Sequence, residues 1–259
     1  TGDNTGDNTG DNTGDNTGDN TGDNTGDNTG DNTGDNTGDN TGDNTGSNTG
    51  GNTGSNTGGN TAKNEGLLLP ADSSSPRILT SNTRTSISVD GHTISLVPTA
   101  KYPVNFLQSY SSFGKVELSG IPYLYSIGEI TKLSDMPTSG KATYNGGYFE
   151  VGHNSATNKS YEQQGDFIAK VDFANKSIDG AIRSGNYVRS FEAKIDGSSF
   201  TGTGTDSKTV NVSNFTGTRD KLGNVEGRFY GPQASEIGGV YHSQTSDYAI
   251  SGSFGGTRD

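Results

Sequence analysis

Phe229-Tyr230-Gly231-Pro232-Gln233-Ala234-Ser235-Glu236-Ile237-Gly238-Gly239-Val240-Tyr241 is the stretch on which the fold of this chain is decided. Phe229 and Tyr230 close a strand that begins near Asn224. Gly231-Pro232 then forces a turn, because proline fixes φ and has no N–H while glycine takes angles that other residues avoid. Gly238-Gly239 lets the next strand bend and approach a neighbouring backbone closely. Ala249-Ile250-Ser251-Gly252-Ser253-Phe254-Gly255-Gly256 continues in the same style, so the chain closes on short, curved, antiparallel strands.

Upstream the same pattern repeats. Strands are predicted over 142–151, 165–173, 177–183, 188–196, 199–205, 224–230, 236–243 and 247–255. Phe167, Ala169, Val171 and Phe173 fall on one face of the second, and Phe191, Ala193 and Ile195 on one face of the fourth. Ala174-Asn175-Lys176 and Asp196-Gly197-Ser198 are short enough to join antiparallel neighbours. Eight such strands with recurrent glycine suit a small closed barrel, whose curvature needs positions without a Cβ. The class is all-β, with an eight-stranded antiparallel barrel over 140–259.

The stretches Gly227 to Tyr241 and Ala249 to Gly256 resemble the C-terminal signature of transferrin-binding-protein-like β-barrels, which are surface proteins of Gram-negative bacteria. Val171-Asp172-Phe173-Ala174-Asn175-Lys176-Ser177-Ile178-Asp179-Gly180 resembles the family's first barrel hairpin. The resemblance implies a smaller, β-rich handle domain before the barrel, which residues 83–139 would supply. It also implies a surface or secreted location, export by a Slam-type translocator and delivery of cargo to a TonB-dependent receptor in the outer membrane. A lipoprotein would need a processed N-terminal cysteine, and the sequence has none. One handle plus one barrel is close in size to the haem-carrying hemophilins and about half of a two-lobed transferrin-binding protein. The expected function is therefore haem capture for iron acquisition. The alternative is a module that grips a host protein such as a complement regulator, haemoglobin or transferrin, or a colonisation factor with another partner.

Within the expected handle, Thr85-Ser86-Ile87-Ser88-Val89, Asp90-Gly91 and His92-Thr93-Ile94-Ser95-Leu96 read as a hairpin, since Asp-Gly readily adopts a type I′ turn. Residues 99–138 carry three prolines among aromatic residues and suggest short strands, with one helical turn near Phe106–Ser111. Residues 65–82, with Pro70, Pro76 and a serine run, read as a linker. Residues 1–64 are Thr-Gly-Asp-Asn repeats decaying through Ser and Gly variants. With no apolar side chain before Ala62, this array cannot offset an ordering entropy of roughly 1–2 kcal/mol per residue, and a disordered tail is expected. An apolar residue in each repeat, which ordered calcium-binding repeats use to build a core, is missing.

Composition narrows the function. Of the net charge of −12, −10 belongs to the array, which holds 11 of the 30 acidic residues and Lys63; residues 65–259 carry 19 acids against 17 bases. Scattered cations on a negative chain do not make a nucleic-acid-binding face. There is no Gly-x-Ser-x-Gly elbow, His-Glu-x-x-His pair or phosphate-binding loop, so no enzyme is expected. Without cysteine there is neither a disulfide framework nor a thiolate metal site.

A haem iron would take His, Tyr or Met inside an apolar aromatic shell. The candidates are His92, His153, His242 and Met136. His92, just past the hairpin tip, could project between handle and barrel or simply into solvent; it is the leading axial ligand, with His153 and His242 as alternatives. Tyr123 and Tyr125 share a face of any strand they occupy. They could stack on a planar ligand, the other reading being ordinary core packing. Met136, between Asp135 and Pro137, reads as a gap-filler or linker residue.

Overall fold

In the computed structural model the described residues are 64–97, 105–204, 218–244 and 246–259, together with the backbone of the Asn-Thr pairs from Asn4–Thr5 to Asn44–Thr45. Each described pair in the array is bonded in parallel to a pair sixteen residues away, as in Asn4 with Asn20 and Asn20 with Asn36. That spacing is four tetrapeptides, so identical residues stack in register. A ladder of backbone bonds requires no apolar side chain, which is why composition gave no sign of it. The remainder of the tail expected to be disordered over 1–64 lies outside the described residues.

The second unit, Asn64–Leu79 and Thr83–Asp259, comprises the barrel and the handle apart from the last residues of its second strand. The handle contains β1 (Asn64–Pro70), β2 (Arg77–Ser81), β3 (Ser86–Val89), β4 (His92–Ser95), β5 (Asn105–Leu107), β6 (Ser111–Leu118) and β7 (Ile121–Gly128). Five of these form a sheet in the order β2-β1-β7-β6-β5, while among the described residues β3 and β4 pair only with each other. Asp90 and Gly91 take φ of 48° and 79°, as the predicted type I′ turn requires.

Two expectations are corrected here. The stretch read as a linker over 65–82 holds β1, a strand of the handle sheet running antiparallel to β7 from Glu65 opposite Gly128 to Pro70 opposite Tyr123. Leu67, Leu68 and Leu69 bury both faces of that strand, and burial of such side chains outweighs the loop signal of the flanking prolines and serines. The helical turn expected near Phe106–Ser111 is instead the β5–β6 hairpin, with Phe106 opposite Phe113.

The handle sheet has an apolar side chain on each face. Leu68, Tyr123, Tyr125 and Ile127 pack with Ile87, Val89 and Leu96, so the β3–β4 hairpin covers one face. Leu67, Leu69 and Leu124 point the other way and pack on Phe149 and Val240 of the barrel.

The barrel is built from β8 (Lys141–Asn154), β9 (Lys159–Asp172), β10 (Ser177–Ser184), β11 (Tyr187–Asp196), β12 (Ser199–Gly204), β14 (Asn224–Tyr230), β15 (Glu236–Gln244) and β16 (Tyr248–Arg258), in meander order. It closes where β16 pairs antiparallel with β8, from Tyr144 opposite Arg258 to Asn154 opposite Tyr248. All eight predicted strands are present. A short β13 (Thr218–Lys221) adds in parallel to β11. The inward residues predicted on the second and fourth strands do line the core, with Phe200, Phe229 and Phe254. Phe167 and Phe254 stack with ring centres 4.6 Å apart.

Glycines make the handle's seat on the outer wall. A Cβ at Gly255 would lie 2.4 Å from the Phe113 ring, and one at Gly238 would lie 2.5 Å from Ser126 Oγ. The two sheets meet there because these positions carry no side chain.

Candidate functional site

The barrel interior leaves little for a ligand. Its aromatic core gives way, on the same inward faces, to a polar cluster. Glu150, fully buried on β8, forms an ion pair with Arg189 of β11. Its carboxylate also accepts Tyr241 Oη at 2.7 Å and Tyr161 Oη at 3.1 Å. Tyr148 Oη accepts Gln163 Nε2 at 2.7 Å. Each of these buried groups has a partner within the protein, the condition under which a buried charge pair is tolerated. Removal from water pushes the Tyr241 phenol well above its usual range, with the Glu150 charge acting in the same direction. The cluster reads as structure.

Outside, the handle is latched to the wall by a second polar set. Glu236, at the start of β15, accepts the Tyr110 N–H and, at 2.7 Å, Ser111 Oγ. Ser126 Oγ and Tyr230 Oη are 3.1 Å apart, and Ser253 Oγ donates to the Gly114 carbonyl at 2.9 Å. Arg228 pairs with Glu65 at 3.3 Å. Burial beneath the handle pushes the Tyr230 phenol up to about 12.

Beside this seat the two parts diverge around a cleft of about 590 Å³. The handle supplies Ala71 and Asp72 after β1, and Gly120, Ile121 and Pro122 at the β6–β7 turn. The outer barrel wall supplies Val151, His153, Ser160, Glu162 and Ala249. Alternation puts Val151 and His153 outward on β8 because Tyr148 and Glu150 point inward. The Nδ1 of His153 is 3.2 Å from Ser160 Oγ. Glu162 forms an ion pair with Lys115 of the handle.

The residues nominated from the sequence are scattered. His92 is exposed at the β3–β4 turn, with Nδ1 3.0 Å from the Asp90 carbonyl oxygen. Its hairpin covers the handle face away from the barrel, so His92 does not enter the crevice between the two. Tyr123 and Tyr125 do share a face, but both are buried in the handle core, and the Arg77 guanidinium lies 6.0 Å from the Tyr123 ring. Their rings are occupied by packing, the other of the two readings. His242 is half-buried on the barrel wall, with Nδ1 2.9 Å from Ser251 Oγ, and burial lowers its pKa. Met136 packs against the barrel core as a gap-filler. His92, Tyr123 and Tyr125 therefore do not fit a haem shell: the histidine is in solvent and the tyrosines are spent in the core.

Of the nominated residues only His153 lines the cleft. Ala71, Asp72, Ile121, Pro122, Val151 and Ala249 were not singled out as ligand contacts, and no motif in the sequence marks them.

Comparison with known proteins accords with this architecture. The family model described as C-lobe and N-lobe beta barrels of Tf-binding protein B matches residues 136–258. The Neisserial heparin binding antigen of Neisseria meningitidis is 34% identical over 188 residues, covering 67% of this chain and 33% of that protein. Transferrin-binding protein B of Moraxella catarrhalis is 30% identical over 177 residues, covering 62% of this chain and 25% of that protein. The chain thus spans about a third or less of these relatives' lengths. A crystal structure of a Haemophilus parasuis transferrin binding protein B mutant superposes with a TM-score of 0.60 at 21% identity, over 75% of this chain and 45% of that one, and shares the fold.

Proposed function

We propose that this chain, whose residues 136–258 are a β-barrel of the transferrin-binding protein B family, acts on the surface of a Gram-negative cell as a module that grips a host protein. It is a binding protein and not an enzyme, as its relatives' names describe them. The observation that carries the reading is the contrast between a barrel interior filled by aromatic side chains and an open cleft on the outer wall beside the handle. A filled barrel cannot enclose a cargo, so recognition uses exterior surface. Among the two ligand types named by the relatives, protein is favoured over a polyanion, because residues 65–259 carry more acids than bases. Display through a Slam-type translocator, with a TonB-dependent receptor downstream, belongs to the same reading.

Two measurements on the full 259-residue chain test it. Immobilised protein exposed to host serum is expected to retain one abundant serum protein saturably. Titration with haemin is expected to leave the Soret band of free haemin unshifted. A sharp Soret shift at one equivalent, or no serum protein retained, would overturn the proposal.

A further inference from the structure

The cleft has a chemical character that its size alone does not convey. Its floor is apolar, formed by Ile121 and Pro122 of the handle and Val151 and Ala249 of the barrel. Its rim is acidic. Asp72 and Glu162 line it, and Glu117 sits opposite Pro122 in the β6–β7 pairing, so the two share the face turned toward the barrel. Among the described residues no lysine or arginine lines the cleft. The nearby Lys115 is engaged by Glu162, so one rim carboxylate is neutralised while Asp72 and Glu117 add to the local negative charge. Apolar side chains with 39% exposure at Ile121 and partial exposure at Val151 and Ala249 are left uncovered at the bottom of a negatively charged recess.

That pairing selects its occupant. A haem carries two propionates and would meet carboxylates where it needs cations. A sulfated polysaccharide is excluded by the same sign. An apolar side chain would gain by covering the floor, at roughly 25 cal/mol per Å² of apolar surface removed from water. A neighbouring cation would meet the rim, where charge complementarity adds specificity and association rate. Resting on the host-protein reading above, we infer that the cleft is the contact pocket for a partner-protein segment in which an apolar side chain is flanked by lysine or arginine.

The test uses the isotopically labelled full chain and two capped pentapeptides as probes, acetyl-Gly-Arg-Leu-Arg-Gly-amide and acetyl-Gly-Glu-Leu-Glu-Gly-amide. The basic peptide is expected to shift the backbone amide signals of Ile121, Val151 and Ala249 saturably, with the acidic one at least tenfold weaker. Val151→Arg fills the floor with a cation and is expected to abolish these shifts. Asp72→Lys changes only an exposed loop residue, so it keeps the test decisive if Val151→Arg fails to fold, and is expected to weaken the basic peptide several-fold. Equal binding of both peptides, or shifts confined to other surfaces, would overturn the inference. Serum retention separates it from its premise. Retention lost in the two variants supports the cleft, whereas retention unchanged in both removes the cleft and leaves the host-protein reading standing. No retention by the unaltered chain removes that reading and the inference with it.

Discussion

Glu236 accepts the backbone N–H of Tyr110 at 3.1 Å on each of its carboxylate oxygens, holding a handle loop to the barrel wall across 126 positions of sequence. With only 2% of its surface exposed, Glu236 exchanges water for these donors and for Ser111 Oγ. Glu236→Ala would leave the half-buried Tyr110 N–H without its acceptor and Ser111 Oγ with Gln108 Oε1 alone, at a cost of about 2–3 kcal/mol. For a domain of this size that is a fall in Tm of roughly 5–10 °C. Differential scanning calorimetry checks it, and a Tm within about 1 °C of the parent would show that Glu236 is no latch.

The neighbouring seat depends on an absent side chain. A Cβ at Gly255 would stand 2.4 and 2.6 Å from two ring carbons of Phe113, which itself stacks on Phe106 with ring centres 4.7 Å apart. Gly255→Val must push the β5–β6 hairpin off the wall, and overpacking of this kind costs about 1–3 kcal/mol. Hydrogen exchange is expected to quicken in β5 and β6 while β10 and β11 keep their protection. Uniform quickening across the barrel would contradict a local seat.

How far the sequence carried the fold follows from what each segment buries. The barrel was legible because its strands alternate, with Phe167, Ala169 and Val171 all pointing inward as read. β1 was not, because Leu67, Leu68 and Leu69 bury both faces and show no alternation between flanking prolines and serines. The turn motif Phe229 to Gly239 was read as barrel geometry, which it is; that Glu236 and Gly238 also meet the handle depends on contacts more than a hundred residues away. The cleft escaped for the same reason. Asp72, Ile121, Val151 and Ala249 are ordinary residues whose convergence only the tertiary packing creates.

Inside the barrel, Glu150 and Arg189 neutralise one another, with side-chain exposures of 0% and 19%. Glu150→Ala strands the guanidinium, an effect expected to cost about 3 kcal/mol in urea unfolding. Replacing both partners, as Glu150→Leu with Arg189→Met, is expected to recover the part of that loss due to the unpaired charge, while the Tyr241 and Tyr161 hydroxyls still lack their acceptor. A double variant as unstable as the single one would mean that the pair contributes more than mutual compensation.

Alkaline pH probes the same packing through the tyrosines. Burial raises the phenols of Tyr125, Tyr144, Tyr148 and Tyr241 above their usual value, and those of Tyr161 and Tyr230 to about 12. A group whose pKa is raised by folding binds its proton more tightly in the native state. Its contribution is intact below pH 10 and is lost as the pH rises through the folded value. Stability should therefore fall between about pH 10 and 12. Phenolate absorbance from these buried side chains is expected to appear together with loss of the near-ultraviolet dichroism. Full ionisation of all eleven tyrosines with the dichroism intact would contradict their burial.

The corrected start of the handle makes the sharpest forecast, because it concerns seven residues. A chain beginning at Asn64 retains β1, and one beginning at Ala71 lacks it. The shorter chain loses Leu67 and Leu69 from the handle–barrel contact and Leu68 from the handle core. Each was worth about 1.5–3 kcal/mol of apolar burial, and β2 is parted from β7 at the same time, since β1 lies between them. The sum approaches the whole stability of a small domain. The chain from Asn64 is therefore expected to match the parent in the dispersion of its amide spectrum. The chain from Ala71 is expected to lose the handle signals and become cleavable by trypsin at Arg84 and Lys115, while the barrel from Lys141 onward resists. Had 65–82 been a linker, the two chains would melt and digest alike.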